Sequence, residues 1–248
     1  MAKAPPRTPV SSPVFIRLLA RLTDVDVPQS HHVLSDRLSQ WIDWTRAVAL
    51  SRALDGTVAA AAVDAPGSFD SAMEDEVVRG RVSLTNAITG DRELSSAERR
   101  GNEPDRVEES SANTVADYAF FQQRYLAMQR AMLAATGRLR GRLRDMLVQK
   151  SADMARLAEV DAVMELALSP REQTLLAAVP KLLGEHFERL QQAEQASLAD
   201  ASLSERAPAV MPGEWLRVFR QDMQSVLLAE LDVRFQPIEG LLAALRTP

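Results

Sequence analysis

The residues from Tyr118 to Met146, YAFFQQRYLAMQRAMLAATGRLRGRLRDM, decide the fold of this chain. Large apolar side chains recur there every three or four positions, which is the spacing that lines one face of an α-helix. This helix-packing seam consists of Tyr118, Phe121, Tyr125, Met128, Met132, Leu139 and Leu143, and it continues to Met146. Because burial stabilises each large apolar side chain by about 1.5–3 kcal/mol, the seam predicts a long helix, starting near Thr114, that packs against other helices.

The same periodicity predicts three helices before the seam. The first begins near Val14, and the second opens near Ser30 and persists through Leu54. The third carries Ser71 followed by Glu74, which fits a capping box at a helix start. Their apolar stripes are Phe15, Leu18, Leu19 and Leu22 in the first; Leu34, Leu38, Trp41, Thr45 and Val48 in the second, where Trp44 adds bulk; and Phe69, Met73, Val77, Leu84 and Ile88 in the third.

After the seam, prolines are expected to divide the chain. A continuing helix with apolar residues from 157 to 168 should end before Ser169-Pro170, because serine is a good cap and proline suits the first helical position. Pro180 should kink the next helix, and the polar stretch from Ala196 to Pro212 should connect it to another. The stripe of that helix is Trp215, Phe219, Met223, Val226, Leu227 and Leu231, and Pro237 should separate it from a last short helix.

No segment shows the alternating, β-branched pattern of a strand. The predicted fold class is therefore all-α, a multi-helix bundle with long amphipathic helices and a flexible charged linker. Residues 1–13 contain four prolines and are expected to be a disordered tail. Residues 14–89 should form an N-terminal helical region, and the charge-rich residues 90–111 a flexible linker. Residues 112–248 are predicted to form a C-terminal helical bundle that packs with 14–89.

Composition restricts the classes of function. The 248 residues carry a formal charge of −5, which argues against non-specific affinity for nucleic acid, and they include no cysteine, which removes thiolate nucleophiles and thiolate metal ligands. The apolar residues between Val14 and Leu22 are interrupted by Arg17 and Arg21, so this run is too short and too charged for a signal sequence or a membrane span. We therefore expect a cytoplasmic protein without direct membrane insertion.

Candidate catalytic groups are few. The three histidines are His31, His32 and His186. Adjacent histidines on a helix point about 100° apart and cannot easily share one metal ion. Glu185 and Glu188 beside His186 fit a solvated helix face, and an enzyme would require these groups to converge in a closed pocket. Because the chain also has no phosphate-binding loop, nucleophile elbow or zinc-protease motif, we expect no catalytic residue, no metal site and no cofactor.

The most basic segment contains Arg138, Arg140, Arg142 and Arg144, here called the arginine row. On a helix, Arg138 and Arg142 form one line and Arg140 and Arg144 another, on either side of the seam. Three uses are open: packing within the chain, for example against the acidic residues 64–111; contact with an acidic partner; and binding of nucleic-acid phosphates. Gly137 and Gly141, four residues apart, are small enough to let another helix approach.

Three stretches of the sequence are similar to those of a known family. They are HVLSDRLSQWIDWT (32–45); YLAMQRAM (125–132) leading to LAEVDAVME (157–165); and FRQDMQ (219–224) leading to AELD (229–232) and PIEGLL (237–242). They resemble an uncharacterised proteobacterial all-helical family, which is encoded beside flagellar-stator-like motor genes and whose members look like accessory subunits of type III Zorya anti-phage defence systems.

The resemblance implies a non-enzymatic adaptor or effector subunit in the cytosol, working with a membrane-embedded, ion-driven motor pair. Its implied partners are other proteins of the same defence system, or further copies of itself. It implies no catalytic residues, because the motifs are structural. The alternative function is a nucleic-acid-binding helical module that uses the arginine row.

Overall fold

The computed structural model describes residues 14–24, 34–55, 71–92, 94, 117–203 and 213–247. Within these ranges the chain forms eight α-helices and no strand, which confirms the predicted all-α fold class. The helices are α1 (Val14–Thr23), α2 (Leu34–Trp41), α3 (Trp44–Asp55), α4 (Ser71–Thr89), α5 (Tyr118–Lys150), α6 (Ala152–Ala177), α7 (Val179–Leu203) and α8 (Glu214–Arg246). No helix in the described ranges is both long enough and apolar enough to cross a membrane.

Two helices of 33 residues each, α5 and α8, lie side by side at the centre of the bundle. At a rise of about 1.5 Å per residue, each spans about 50 Å. The other helices pack around this pair: α4 and α7 contact both, α6 lies along α5, α1 contacts α7 and α8, and α3 contacts α6. The stripes of α1, α4 and α8 face the shared core as predicted, so the spacing of apolar residues did report which face of each helix is buried.

An aromatic cluster joins the first turns of α5 to α7 and α8. The ring of Phe187 on α7 lies 4.9 Å from the ring of Phe219 on α8, and the Phe121 ring lies 5.2 Å from that of Phe219. Tyr118 packs beside them and donates a hydrogen bond to the carbonyl oxygen of Pro180. The Tyr118 ring fits because residue 184 is glycine: a Cβ there would lie 2.8 Å from Cε1 of the ring.

The prediction that the second helix is continuous is wrong, because this region forms two helices. α2 ends at Trp41 and α3 begins at Trp44. Asp43 causes the break: its Oδ1 accepts a hydrogen bond of 2.8 Å from the backbone amide of Arg46, which satisfies an amide that the first turn of α3 leaves free. The expectation that Trp44 adds bulk to the buried stripe is also wrong, since its side chain points into solvent.

The long helix α5 begins at Tyr118, with Asp117 as its N-cap, and Thr114 lies outside the described residues. It does not continue into the next predicted segment. Ser151 ends it and caps α6, accepting a hydrogen bond of 3.2 Å from the amide of Met154. This single-residue connection folds α6 back along α5, so that the two helices run antiparallel.

The prolines do not divide the chain where we expected. Pro170 lies inside α6 and Pro237 inside α8, so the predicted helix ends at both positions are wrong. Each proline removes one hydrogen bond to the carbonyl four residues earlier, that of Leu166 or Val233. Leu166 is exposed and Val233 borders an open cleft, so water can replace the missing amide donors.

The real break in this region lies at Ala178, and Pro180 falls in the first turn of α7, where its missing amide has no helical partner to lose. The predicted helix is therefore interrupted beside Pro180, but as a break at Ala178 between two helices rather than as a kink within one helix. The polar connector expected from Ala196 is helical as far as Leu203, and residues 204–212 lie outside the described part.

The predicted tail, residues 1–13, and residues 95–116 lie outside the described part of the chain. At the start of the predicted linker, Asp91 and Leu94 are buried. The side chain of Asp91 forms an ion pair with Arg124 of α5, which fixes the end of α4 to the bundle.

Candidate functional site

The arginine row lies in the middle of α5, and half of it faces α6. Arg140 binds Asp161 with two hydrogen bonds, Nε to Oδ2 at 2.8 Å and Nη2 to Oδ1 at 2.6 Å. Arg144 donates from Nε to Asp161 and from Nη2 to Glu165, both at 2.6 Å. Burial acts to raise the pKa of Asp161, but the hydrogen bonds and positive charges of the two guanidinium groups lower it on balance. These paired, mostly buried charges clamp α5 to α6.

The other half of the arginine row faces outward. Arg142 is exposed and forms an ion pair with Glu76 of α4, which belongs to the acidic residues 64–111. Arg138 is exposed and has no ion-pair partner among the residues that the structure describes. Three of the four arginines are therefore engaged by carboxylates within the chain, which reduces the charge available for phosphate groups.

The seam residues lie in the buried core of the bundle or pack against it. Phe121, Tyr125, Met132, Leu139 and Leu143 are buried, while Tyr118 and Met128 are partly buried and pack against the same core. The two glycines of the arginine segment do not receive a helix: a Cβ at Gly137 or Gly141 would meet nothing within 4 Å. The close approach lies instead at Gly184, which the sequence analysis did not single out.

A buried charge network crosses the core next to the seam. The carboxylate of Glu230 on α8 is fully buried, and it accepts hydrogen bonds from the Tyr125 hydroxyl at 2.7 Å and from Gln129 Nε2 at 3.0 Å. Nε and Nη2 of Arg234, one turn further along α8, donate to the same carboxylate at 2.9 and 2.8 Å. Burial, followed by the Glu230 charge, raises the pKa of Tyr125 and keeps its hydroxyl protonated.

No sequence-based prediction included this network, although the apolar stripe of α8 contains a signal for it. Glu230 follows Val226 by four residues and Leu227 by three, so the stripe itself places this carboxylate on the core face. A charge on such a face has to be paired, and the arginine four residues later is a suitable partner.

A cleft opens beside this network, between α5, α6 and α8 and next to the end of α2. Its volume is about 370 Å³. The walls are mostly apolar, with three arginines and two glutamates among them. The lining side chains that matter here are Leu133, Leu168, Leu175, Val233, Pro237 and Ile238 on the apolar side, and Arg140, Arg171, Arg234, Glu165 and Glu172 on the charged side.

Two guanidinium groups in the cleft differ in how they are held. Arg234 is 7% exposed at its side chain, and its Nη1 atom lies 3.7 Å from Glu172, beyond hydrogen-bonding distance. Arg171 stacks on the ring of Trp41, with 4.8 Å between Cζ and the ring centroid. Within the described ranges Arg171 forms no ion pair with a carboxylate. Such a stacked guanidinium stays oriented while its N–H donors remain available.

The most exposed large apolar side chains of the described residues lie on α3 and α6. Trp44 is 83% exposed, Leu166 69% and Leu175 64%, and these are the three most exposed large apolar side chains in the described residues. Leu175 borders the cleft, and Trp44 lies three residues after Trp41, which lines it. We call the exposed surface of these two contacting helices, which carries Trp44, Leu166 and Leu175, the α3–α6 face; Leu166 and Leu175 are nine residues apart and lie on different sides of α6. Tryptophan is enriched in the buried core of protein interfaces, so the exposed Trp44 marks this surface as a candidate contact site.

The histidine candidates are only partly described. His31 and His32 lie outside the described residues. His186 Nε2 lies 2.9 Å from Asp222, whose other oxygen is 3.2 Å from Arg21, so this histidine ties α7 to α8 and α1. Among the described residues no group of three or more potential ligands could hold a metal ion.

Comparison with known proteins gives a family but no relative with an assigned activity. No curated protein and no solved structure matches the chain. The model of the family described as "Protein of unknown function (DUF3348)" matches residues 1–247. The chain therefore belongs to this family.

Proposed function

We propose that this protein is a cytoplasmic, non-enzymatic adaptor or effector subunit of a bacterial anti-phage defence assembly. It binds a partner protein through the α3–α6 face. The partner class is the one that the resemblance to type III Zorya accessory subunits implies, a membrane-embedded, ion-driven motor pair. The protein's contribution is to hold that pair, or a complex containing it, in a defined arrangement.

The observation that carries the proposal is the exposure of Trp44, Leu166 and Leu175. Most other large apolar side chains of the described helices are buried or partly buried in the bundle, whereas these three are exposed to solvent on two contacting helices. Tryptophan is enriched among the residues that dominate the energy of protein interfaces. In the proposed complex, the partner protein covers these side chains and removes them from solvent.

The rest of the bundle supports a scaffold that presents this face rigidly. α6 carries two of the three residues, and its position on α5 is fixed by the ion pairs of Arg140 and Arg144 with Asp161 and Glu165. α3 contacts α6 directly. A surface held in one geometry loses less entropy on binding than a mobile one.

Co-purification tests the proposal. A tagged chain is expressed together with the products of the adjacent genes, solubilised in mild detergent and purified. We expect these proteins to be retained by the wild type and lost with the double variant Trp44→Ser, Leu166→Ser. The matched control is Val148→Ser, which removes an exposed apolar side chain on a different helix, α5. Retention of none of them by the wild type contradicts the adaptor role, and retention by the double variant contradicts the assignment of the face.

A further inference from the structure

We infer that the cleft between α5, α6 and α8 binds an organic monocarboxylate, a single carboxylate group attached to an apolar body. This inference goes beyond the adaptor role and does not depend on it, because the cleft is formed within one chain. It rests on the size of the cleft, on its apolar wall and on the guanidinium groups at its charged end.

The size and the wall fit a small amphiphilic molecule. A volume of about 370 Å³ lies in the range typical of ligand sites. Leu133, Leu168, Leu175, Val233 and Ile238 supply an apolar surface that could cover a chain or ring of about eight to ten carbon atoms. Pro237 and Gly137 also line the cleft. Gly137 has no side chain to fill the space beside it, and a Cβ there would meet nothing within 4 Å.

The charged end supplies donors for one carboxylate. Arg171 is oriented by Trp41 and has no carboxylate of its own in the described part of the chain. Arg234 is almost wholly buried, and its Nη1 atom has only a distant ion pair with Glu172. A carboxylate within reach of these two cleft-lining groups would accept charge-assisted hydrogen bonds, which are roughly twice as strong as hydrogen bonds between neutral groups.

The same end selects against a second negative charge. Glu165 and Glu172 also line the cleft, and each is already close to a guanidinium group, Arg140 at 3.4 Å and Arg234 at 3.7 Å. A dicarboxylate would bring its second charge either beside these glutamates or into the apolar wall, and both positions are unfavourable. The expected ligand therefore carries one carboxylate and is apolar elsewhere.

Calorimetric titration of the purified chain tests the inference, with decanoate as the probe below its micelle concentration. Decanol and decanedioate are the matched comparisons, with the same number of carbon atoms and either no charge or two charges. We expect saturable binding of one decanoate per chain, with both comparison compounds at least about tenfold weaker. Absence of saturable binding, or equally tight binding of decanol, overturns the inference.

Two variants locate the site. Arg171→Gln should weaken decanoate at least about tenfold, while Arg138→Gln, which removes an exposed arginine on α5 outside the cleft, should leave it unchanged. Gly137→Leu places bulk on the cleft wall where nothing lies within 4 Å, and leucine favours the helix, so the variant should fold and yet lose binding. Undiminished binding by either Arg171→Gln or Gly137→Leu contradicts the assignment of the cleft.

Discussion

Replacing Glu230 by alanine should destabilise the bundle more than any single exposed change. The substitution leaves the Arg234 guanidinium, 7% exposed, and the buried Tyr125 hydroxyl without their shared acceptor. Breaking a buried ion pair by removing one partner costs about 3–5 kcal/mol. For a chain of this length, each kcal/mol lost from the free energy of unfolding lowers the melting temperature by about 2–4 °C, so we expect the melting temperature to fall by about 6–20 °C.

Unfolding in guanidinium chloride, followed by circular dichroism at 222 nm, measures this loss in the free energy of unfolding. The matched control is Glu185→Ala, which removes an exposed pair with Lys181 and should cost less than about 1 kcal/mol. In the double variant Glu230→Leu, Arg234→Leu no buried charge is left alone, so the loss should be smaller than the sum of the two single losses. If Glu230→Ala costs no more than Glu185→Ala, the network does not hold α8 to α5 as the geometry indicates.

Four further outcomes follow from individual contacts. Tyr118 and Tyr125 are the two tyrosines of the chain, and burial raises the pKa of Tyr118 to about 12 and also raises the pKa of Tyr125. At pH 10, where tyrosines in the unfolded chain are about half ionised, absorbance at 295 nm should therefore show almost no tyrosinate in the folded protein. The free energy of unfolding should fall as the pH rises above about 10, because only the unfolded chain then releases these protons. Appreciable tyrosinate at pH 10 in the folded state contradicts this. Asp161→Asn should reduce stability at pH 7, and this difference should shrink below about pH 4, because the lowered pKa of Asp161 stabilises the fold only while the carboxylate is ionised; equal losses in unfolding experiments at pH 7 and pH 3 argue against the pair. Gly184→Ala should lower the melting temperature, since its Cβ would lie 2.8 Å from the Tyr118 ring, whereas Gly240→Ala, with nothing within 4 Å, should raise it by reducing the cost of glycine in a helix; a stabilised Gly184→Ala variant shows that the ring can move away. Fluorescence anisotropy with duplex DNA should show no salt-dependent binding, because carboxylates engage most of the arginine row; a clear salt slope that Arg138→Glu removes favours the nucleic-acid alternative.

The fold class and the buried faces could be predicted because they depend on local periodicity. The stripe of α8 from Phe219 to Leu231 and that of α4 from Met73 to Ile88 both lie in the core. A spacing of three and four residues places apolar side chains on one face of a helix whatever its partner helix is, so the buried face can be predicted without knowing how the helices are arranged.

The prediction failed where tertiary structure overrides a local rule. Pro170 and Pro237 are strong helix terminators by themselves, but Phe235 before Pro237 and Ile238 after it are held by the core, and Val233, whose carbonyl loses its amide donor, borders the open cleft. At Asp43 and Ser151 a continuous helix was predicted and the structure has a break, because a single capping residue starts a new helix within a continuous apolar pattern.

The candidate site could be predicted only in part for a related reason. The arginine row was visible in the sequence, but its partners Asp161 and Glu165 depend on the turn at Ser151 that folds α6 back along α5. The cleft is formed by three helices whose relative positions no single segment encodes. Periodicity reports which residues are buried, but it does not report which residues from different helices meet.

Hydrogen–deuterium exchange on the co-purified complex tests the central claim most directly, that the α3–α6 face is where a partner protein binds. We predict that peptides containing Trp44 and Leu166 exchange more slowly in the complex than in the isolated chain, while those from α4 are unchanged. Slower exchange confined to α1 or α4, with α3 and α6 unaffected, would contradict the claim.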